Sequence, residues 1–147
     1  MWQKDGFVIS TDKAALNIDV IHRFIAKESY WGKGRSREAV VETIKNSILC
    51  FGLYRDAPEP ANLVGYARVV GDNVVFGFLA DVFVLTDYRG TGLGKWLVQT
   101  ILEHPDIAKL RRMTLFTRTP DFYRGAFDIY DQSGVSVFMQ QRKSPAD

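Results

Sequence analysis

The stretch VFVLTDYRGTGLGKWLV, residues 82–98, places three glycines in five residues between two apolar runs. Residues 82–85 read as the end of a strand and residues 95–103 as a helix, so Gly90, Gly92 and Gly94 fall at the hand-over. A helix start leaves backbone N–H groups unpaired and carries partial positive charge. Glycines there let the oxygens of an anion reach the main chain directly, and Arg89 and Lys95 bracket the turn with charge-assisted donors. The arrangement suits a pyrophosphate.

Spacing narrows which one. A phosphate loop of the GxxxxGK[ST] kind fails twice, because Arg89 stands where its first glycine belongs and Trp96 follows Lys95. A dinucleotide fingerprint needs GxGxxG at the opening of a βαβ unit, whereas this run is GxGxG after several strands.

The 147 residues fit one domain, 1–147, with 46% hydrophobic and 13% aromatic content and a formal net charge of +2. That balance argues against nucleic acid as a partner, although a local site for an anionic cofactor stays open. No apolar segment is long enough to span a bilayer, and residues 1–10 (MWQKDGFVIS) lack the core of a signal peptide, so a cytoplasmic location away from membranes is expected. The single cysteine, Cys50, sits in an apolar run and reads as a buried strand residue. His22 and His104 have no metal-ligand spacing, and no metal is expected.

The fold class is α/β. Residues 7–10 form a strand, residues 18–29 and a segment capped by Ser36 form helices, and strands at 48–55, 63–70 and 74–85 follow. The Gly71–Asn73 turn joins the last two as an antiparallel hairpin. Beyond the helix at 95–103, a strand at 112–117, a helix at 121–131 and a strand at 135–141 complete the order. A mixed sheet with helices on both faces packs such a series.

Arg89-Gly90-Thr91-Gly92-Leu93-Gly94 fits the R/Q-x-x-G-x-G/A signature of the GCN5-related N-acetyltransferase (GNAT) family, and residues 84–88 resemble its V-x-P-E-Y lead-in, with Thr86 for proline. The element order is similar over nearly the whole chain, and residues 30–36 (YWGKGRS) and 79–84 (LADVFV) resemble small bacterial members. The resemblance implies largely antiparallel N-terminal strands, a splayed central strand and acetyl-CoA as co-substrate. It implies pyrophosphate binding by Arg89, Gly90, Thr91, Gly92, Leu93, Gly94 and Lys95, and pantetheine pairing along Val82, Phe83 and Val84. A strand edge offers the backbone groups that pantetheine amides need, and N–H groups near Val82–Val84 could stabilise an oxyanion.

Acetyl transfer to an amine by direct attack needs a route for the amine proton, oxyanion donors and a proton for the leaving thiolate. Asp81 interrupts an apolar strand beside the pantetheine residues, and a half-buried carboxylate is a better base than a solvated one. The alternative for Asp81 is a salt bridge, for instance to Arg68. Glu28, at a helix end, is a second candidate for base or acceptor binding against a solvated charge. For the acid, residues 129–135 (IYDQSGV) resemble the family's L-Y-x-x-x-G-F segment and make Tyr130 the first choice. Tyr123 is the second: its spacing from Arg118 is nearer that of the bacterial members, but no glycine motif follows it. The acceptor, a small-molecule or peptide amine, is expected at Tyr30, Trp31 and the basic loop after them, where Lys33 and Arg35 would draw an acidic partner and the aromatics an apolar or cationic one. The short C-terminal segment leaves the acceptor wall incomplete or shared within a homodimer. The rival reading is a non-catalytic acyl-CoA-binding or sensor domain, and a nucleotide-binding module is the third.

Overall fold

The computed structural model describes residues 1–127 and 139–141. A six-stranded sheet runs in sequence order through β1 (Trp2–Lys4), β2 (Phe7–Ser10), β3 (Leu49–Arg55), β4 (Leu63–Gly71), β5 (Phe76–Val84) and β6 (Arg112–Thr114). The first five are antiparallel, and β6 joins β5 in parallel. Helices α1 (Ile18–Arg23) and α2 (Arg37–Asn46) precede β3; α3 (Leu93–Glu103) and α4 (Pro105–Ala108) lie between β5 and β6, and α5 (Pro120–Tyr123) follows.

Strand β3 shows why both faces of the sheet are covered. Its interior residues are all buried, and successive ones turn to opposite clusters. Cys50 and Tyr54 join Ile21, Phe24, Ile25, Val40 and Ile44 under α1 and α2, while Phe51 and Leu53 join Leu93, Leu97, Ile101 and Ile107 under α3 and α4. Each such Leu, Ile or Phe side chain contributes about 1.5–3 kcal/mol by leaving water. Asn17 caps α1 by accepting from Val20 N–H, and Ser36 caps α2 by accepting from Ala39 N–H.

Several expected elements differ, each for a local reason. Asp5 and Gly6, with φ of 50° and 82°, turn β1 back on β2, a D-G hairpin signal that adds a strand at the edge. The helix expected over 18–29 stops at Arg23 and widens over Phe24–Glu28, closed by Ser29 N–H on Phe24 C=O at 3.0 Å. Among the described residues the helix expected over 121–131 is α5, which ends at Tyr123 ahead of Gly125 at φ 94°. Residues 128–131 lie outside the described residues, as do 135–138 of the expected last strand; residues 139–141 are not in a strand.

Two departures in β5 open the sheet. The register with β4 slips between Tyr66 and Arg68, so Asp81 bulges with φ 55°. On its other edge β5 pairs with β6 only at Phe76, Gly77 and Phe78, and the expected strand at 112–117 ends at Thr114. Beyond Phe78 the β5 edge has no strand partner among the described residues.

Candidate active site

That unpaired edge has a defined polarity. Leu85 N–H donates to Val64 C=O at 2.8 Å. Alternation along an antiparallel ladder then directs Phe83 to β4 and the N–H and C=O groups of Val84 to the open side, with Val82 in the bulge before them. Arg89 Nε already donates to Val84 C=O at 2.9 Å, while Val84 N–H faces the gap and Val82 lines it.

Past Val84 the chain makes one tight turn (Thr86–Tyr88) and reaches the glycines. Gly90 and Gly92 hold φ of 79° and 85°, with open space where a Cβ would be. Gly92 is the N-cap of α3 and no side chain caps that end, so the first N–H groups of the helix are available to an anion. Gly94 has a different role from the other two. A Cβ there would stand 2.9 Å from Phe122 Cζ, so its hydrogen lets α5 close over the start of α3. Thr91 Oγ1 donates to Tyr88 C=O at 2.9 Å, and Arg89 lies 5.8 Å over the Phe24 ring; both side chains brace the turn. Lys95 is exposed beside it.

A cavity of about 630 Å³ joins these parts, lined by Val82, Phe83, Val84, Arg89, Gly90, Gly92, Gly94, Lys95, Phe24, Glu28, Tyr30, Trp31, Phe122 and Tyr123 among others. On the far side of the splay a second cavity, about 440 Å³, is lined by Arg35, Arg68, residues 78–82 and residues 115–119. The two share Tyr30, Trp31, Val82, Thr119 and Tyr123. Tyr123, half-buried, therefore stands at the passage between them. Burial, with Tyr30 alongside, pushes its phenol up to about 12, which keeps it a proton donor at neutral pH.

Asp81 is placed differently from a free base. Its side chain is 2% exposed and accepts three bonds: Trp31 Nε1 at 2.8 Å on Oδ1, and Arg35 Nη1 at 2.8 Å and Arg68 Nε at 2.6 Å on Oδ2. The Arg68 bridge is the alternative its position allowed. A carboxylate so engaged holds the 30–35 loop against the bulge. Glu28 is exposed and lines the first cavity only, away from the second. Tyr30 and Trp31 do reach the second cavity, Trp31 edge-on to Tyr30 at 5.1 Å. Lys33 is exposed and lines neither cavity. Tyr130 lies outside the described residues.

The histidines serve the scaffold. His22 Nε2 meets Arg35 C=O at 3.0 Å, and His104 Nδ1 accepts from Asp106 N–H to cap α4. Among the described residues no group of His, Cys, Asp or Glu could hold a metal, and no helix is long and apolar enough to cross a membrane. Phe24, Phe122, Arg118 and Thr119 are lining residues that sequence reading missed; no motif marks them, because the fold alone brings them to the splay.

Comparison with known proteins agrees with this geometry. The family model described as acetyltransferase (GNAT) family matches residues 37–130. A Gibberella zeae protein bearing an acetyltransferase name is 32% identical over 132 residues, 79% of this chain and 74% of its own length. Against three further relatives the chain spans 56–61% of their length. A Xanthomonas campestris crystal structure described as belonging to the GNAT family superposes with a TM-score of 0.83 at 34% identity, covering 98% of this chain and 97% of that one. N-acetylglutamate synthase from Neisseria gonorrhoeae, solved with coenzyme A and N-acetyl-glutamate, shares the fold at 21% identity and a TM-score of 0.63, over 82% of this chain and 28% of that one.

Proposed function

The chain belongs to the GNAT acetyltransferase family, and we propose that it is one domain over residues 1–147 moving an acetyl group from acetyl-CoA to a small amine by direct attack. The observation that carries this reading is the meeting of two cavities at Val82 and Tyr123. The glycine turn and the start of α3 take the pyrophosphate, and Val82 and Val84 pair with the pantetheine arm from the open edge of β5. The solved synthase complex, on the same fold, holds coenzyme A, which supports CoA as the ligand.

The amine nitrogen, having lost its ammonium proton to solvent, bonds to the thioester carbonyl carbon. The oxyanion that forms lies against the backbone N–H of Val82, the residue that lines both cavities. Collapse breaks the C–S bond, the Tyr123 hydroxyl supplies a proton to the departing thiolate, the nitrogen gives up its extra proton to solvent, and solvent returns one to the phenolate. Asp81 positions the loop that carries Tyr30 and Trp31 rather than taking a proton. Glu28, exposed on the rim of the donor cavity, takes no proton from the amine.

Release of CoA thiol from acetyl-CoA, followed over a panel of amines, tests the reading. Turnover with at least one amine is the expected result. Tight CoA binding without turnover on any amine would favour an acyl-CoA-binding domain instead. Thermal stabilisation by ATP or NAD but not by CoA would remove the CoA site altogether.

A further inference from the structure

Asp81 accounts for where Arg35 and Arg68 sit, but it balances only one of them. Both guanidinium groups bond the same carboxylate oxygen, and the arginine side chains are only 15% and 14% exposed. The other oxygen takes a neutral donor, Trp31. Apart from Asp81, the side-chain partner of Arg68 among the described residues is Ser47 Oγ at 3.5 Å. The cluster therefore holds one net positive charge in a largely desolvated place, which is costly until an anion joins it. Both arginines line the acceptor cavity.

Arg118 adds a second charge to the same cavity. Its guanidinium lies 4.1 Å from the centroid of the Tyr30 ring, and its backbone N–H donates to Tyr30 Oη at 3.0 Å. No carboxylate pairs with it among the described residues. Of the described residues lining this cavity, Asp81 is the sole acid against three arginines. Arginine's planar fork suits a carboxylate or phosphate better than it suits a neutral or cationic group.

We propose that the acceptor is a small amine that also carries a compact anionic group, bound by Arg35, Arg68 and Arg118 while its nitrogen lies at the Val82–Tyr123 passage. The inference rests on the acetyl-transfer reading and names its substrate class. Placement supports it. Arg35, Arg68 and Arg118 line the same cavity as Val82 and Tyr123, so one small molecule can meet the arginines and the passage together. A cavity of about 440 Å³ fits a short amino acid or aminoalkyl phosphate.

Matched amines test it on the wild-type protein by thiol release. The probes are β-alanine and γ-aminobutyrate, their amides, 2-aminoethyl phosphate and putrescine. The acids or the phosphate should exceed the amides in kcat/KM by about 30-fold, the size of a charge-assisted pairing. Whichever of carboxylate and phosphate is faster identifies the anion. Arg118→Gln should narrow the gap about threefold, since its charge is the exposed one, and leave CoA affinity unchanged. Equal rates for acids and amides, or a preference for putrescine, would overturn the inference and leave acetyl transfer standing. If no amine turns over, the acetyl-transfer reading fails. Calorimetry of the CoA-bound protein with 4-acetamidobutyrate and its amide then decides the anion site: binding of the acid alone supports it, and equal or no binding overturns it.

Discussion

Gly92 and Asp81 both hold left-handed backbone, at φ 85° and 55°, near the two ends of the site, and they do so for opposite reasons. At Gly92 the absence of a side chain is the point, since it leaves the main-chain N–H groups at the uncapped start of α3 open to an anion. At Asp81 the side chain is the point. The bulge turns its carboxylate into Trp31, Arg35 and Arg68, and those bonds outweigh a backbone strain of about 1–3 kcal/mol. The donor end is main chain from one contiguous stretch, whereas the acceptor end is side chains gathered from distant ones.

Removing the carboxylate should break the acceptor end most severely. Asp81→Ala leaves two buried guanidinium groups unpaired and should cost about 3–5 kcal/mol of stability, read from a urea midpoint. A variant with wild-type stability and no turnover would make Asp81 the base and erase the contrast. At the passage itself, Tyr123→Phe should lower kcat about 100-fold with unchanged CoA affinity. The same comparison with Tyr130→Phe sharpens the assignment: the larger kcat loss identifies the acid.

Smaller effects are expected at the donor end. Gly92→Val forces a β-branched residue to positive φ at a cost of about 1–2 kcal/mol, and CoA should bind about tenfold more weakly, with acceptor preference intact. Loss of fold in place of loss of CoA affinity would show the turn to be scaffold. The smallest signal is in the alkaline range. Burial holds the Tyr54 and Tyr66 phenols well above their ordinary value and Tyr123 at about 12. Their neutral forms favour the folded state, so this stability is fully present below the unfolded tyrosine value of about 10 and declines as pH rises above it. Denaturant midpoints should stay level through pH 9 and fall beyond 10. Over the same span kcat should show no loss from the phenol until near pH 12.

The same contrast explains what the sequence disclosed. A pyrophosphate recognised by main chain demands residues of special conformation side by side, so Gly90 and Gly92 announce it and the flanking strand and helix follow. Even there the contact of Gly94 with Phe122 was not legible, because Phe122 is far along the chain and only the fold presses the two together. The hub around Asp81 draws on Trp31, Arg35 and Arg68, whose spacing obeys no local period. An apolar strand broken by one aspartate showed that something was there without showing what. The β1–β2 hairpin was legible in Asp5-Gly6, yet a three-residue strand offers too little alternation to register. The helix expected at 121–131 runs past the end of α5 at Tyr123, ahead of the positive-φ Gly125.

Where the CoA thiol lies tests the central claim most directly. In a crystal structure with CoA, the pyrophosphate should meet the N–H groups of residues 92–95, with the sulfur between Val82 and Tyr123 at the mouth of the arginine-lined cavity. A sulfur placed away from that passage, or a pyrophosphate held off the start of α3, would contradict the account.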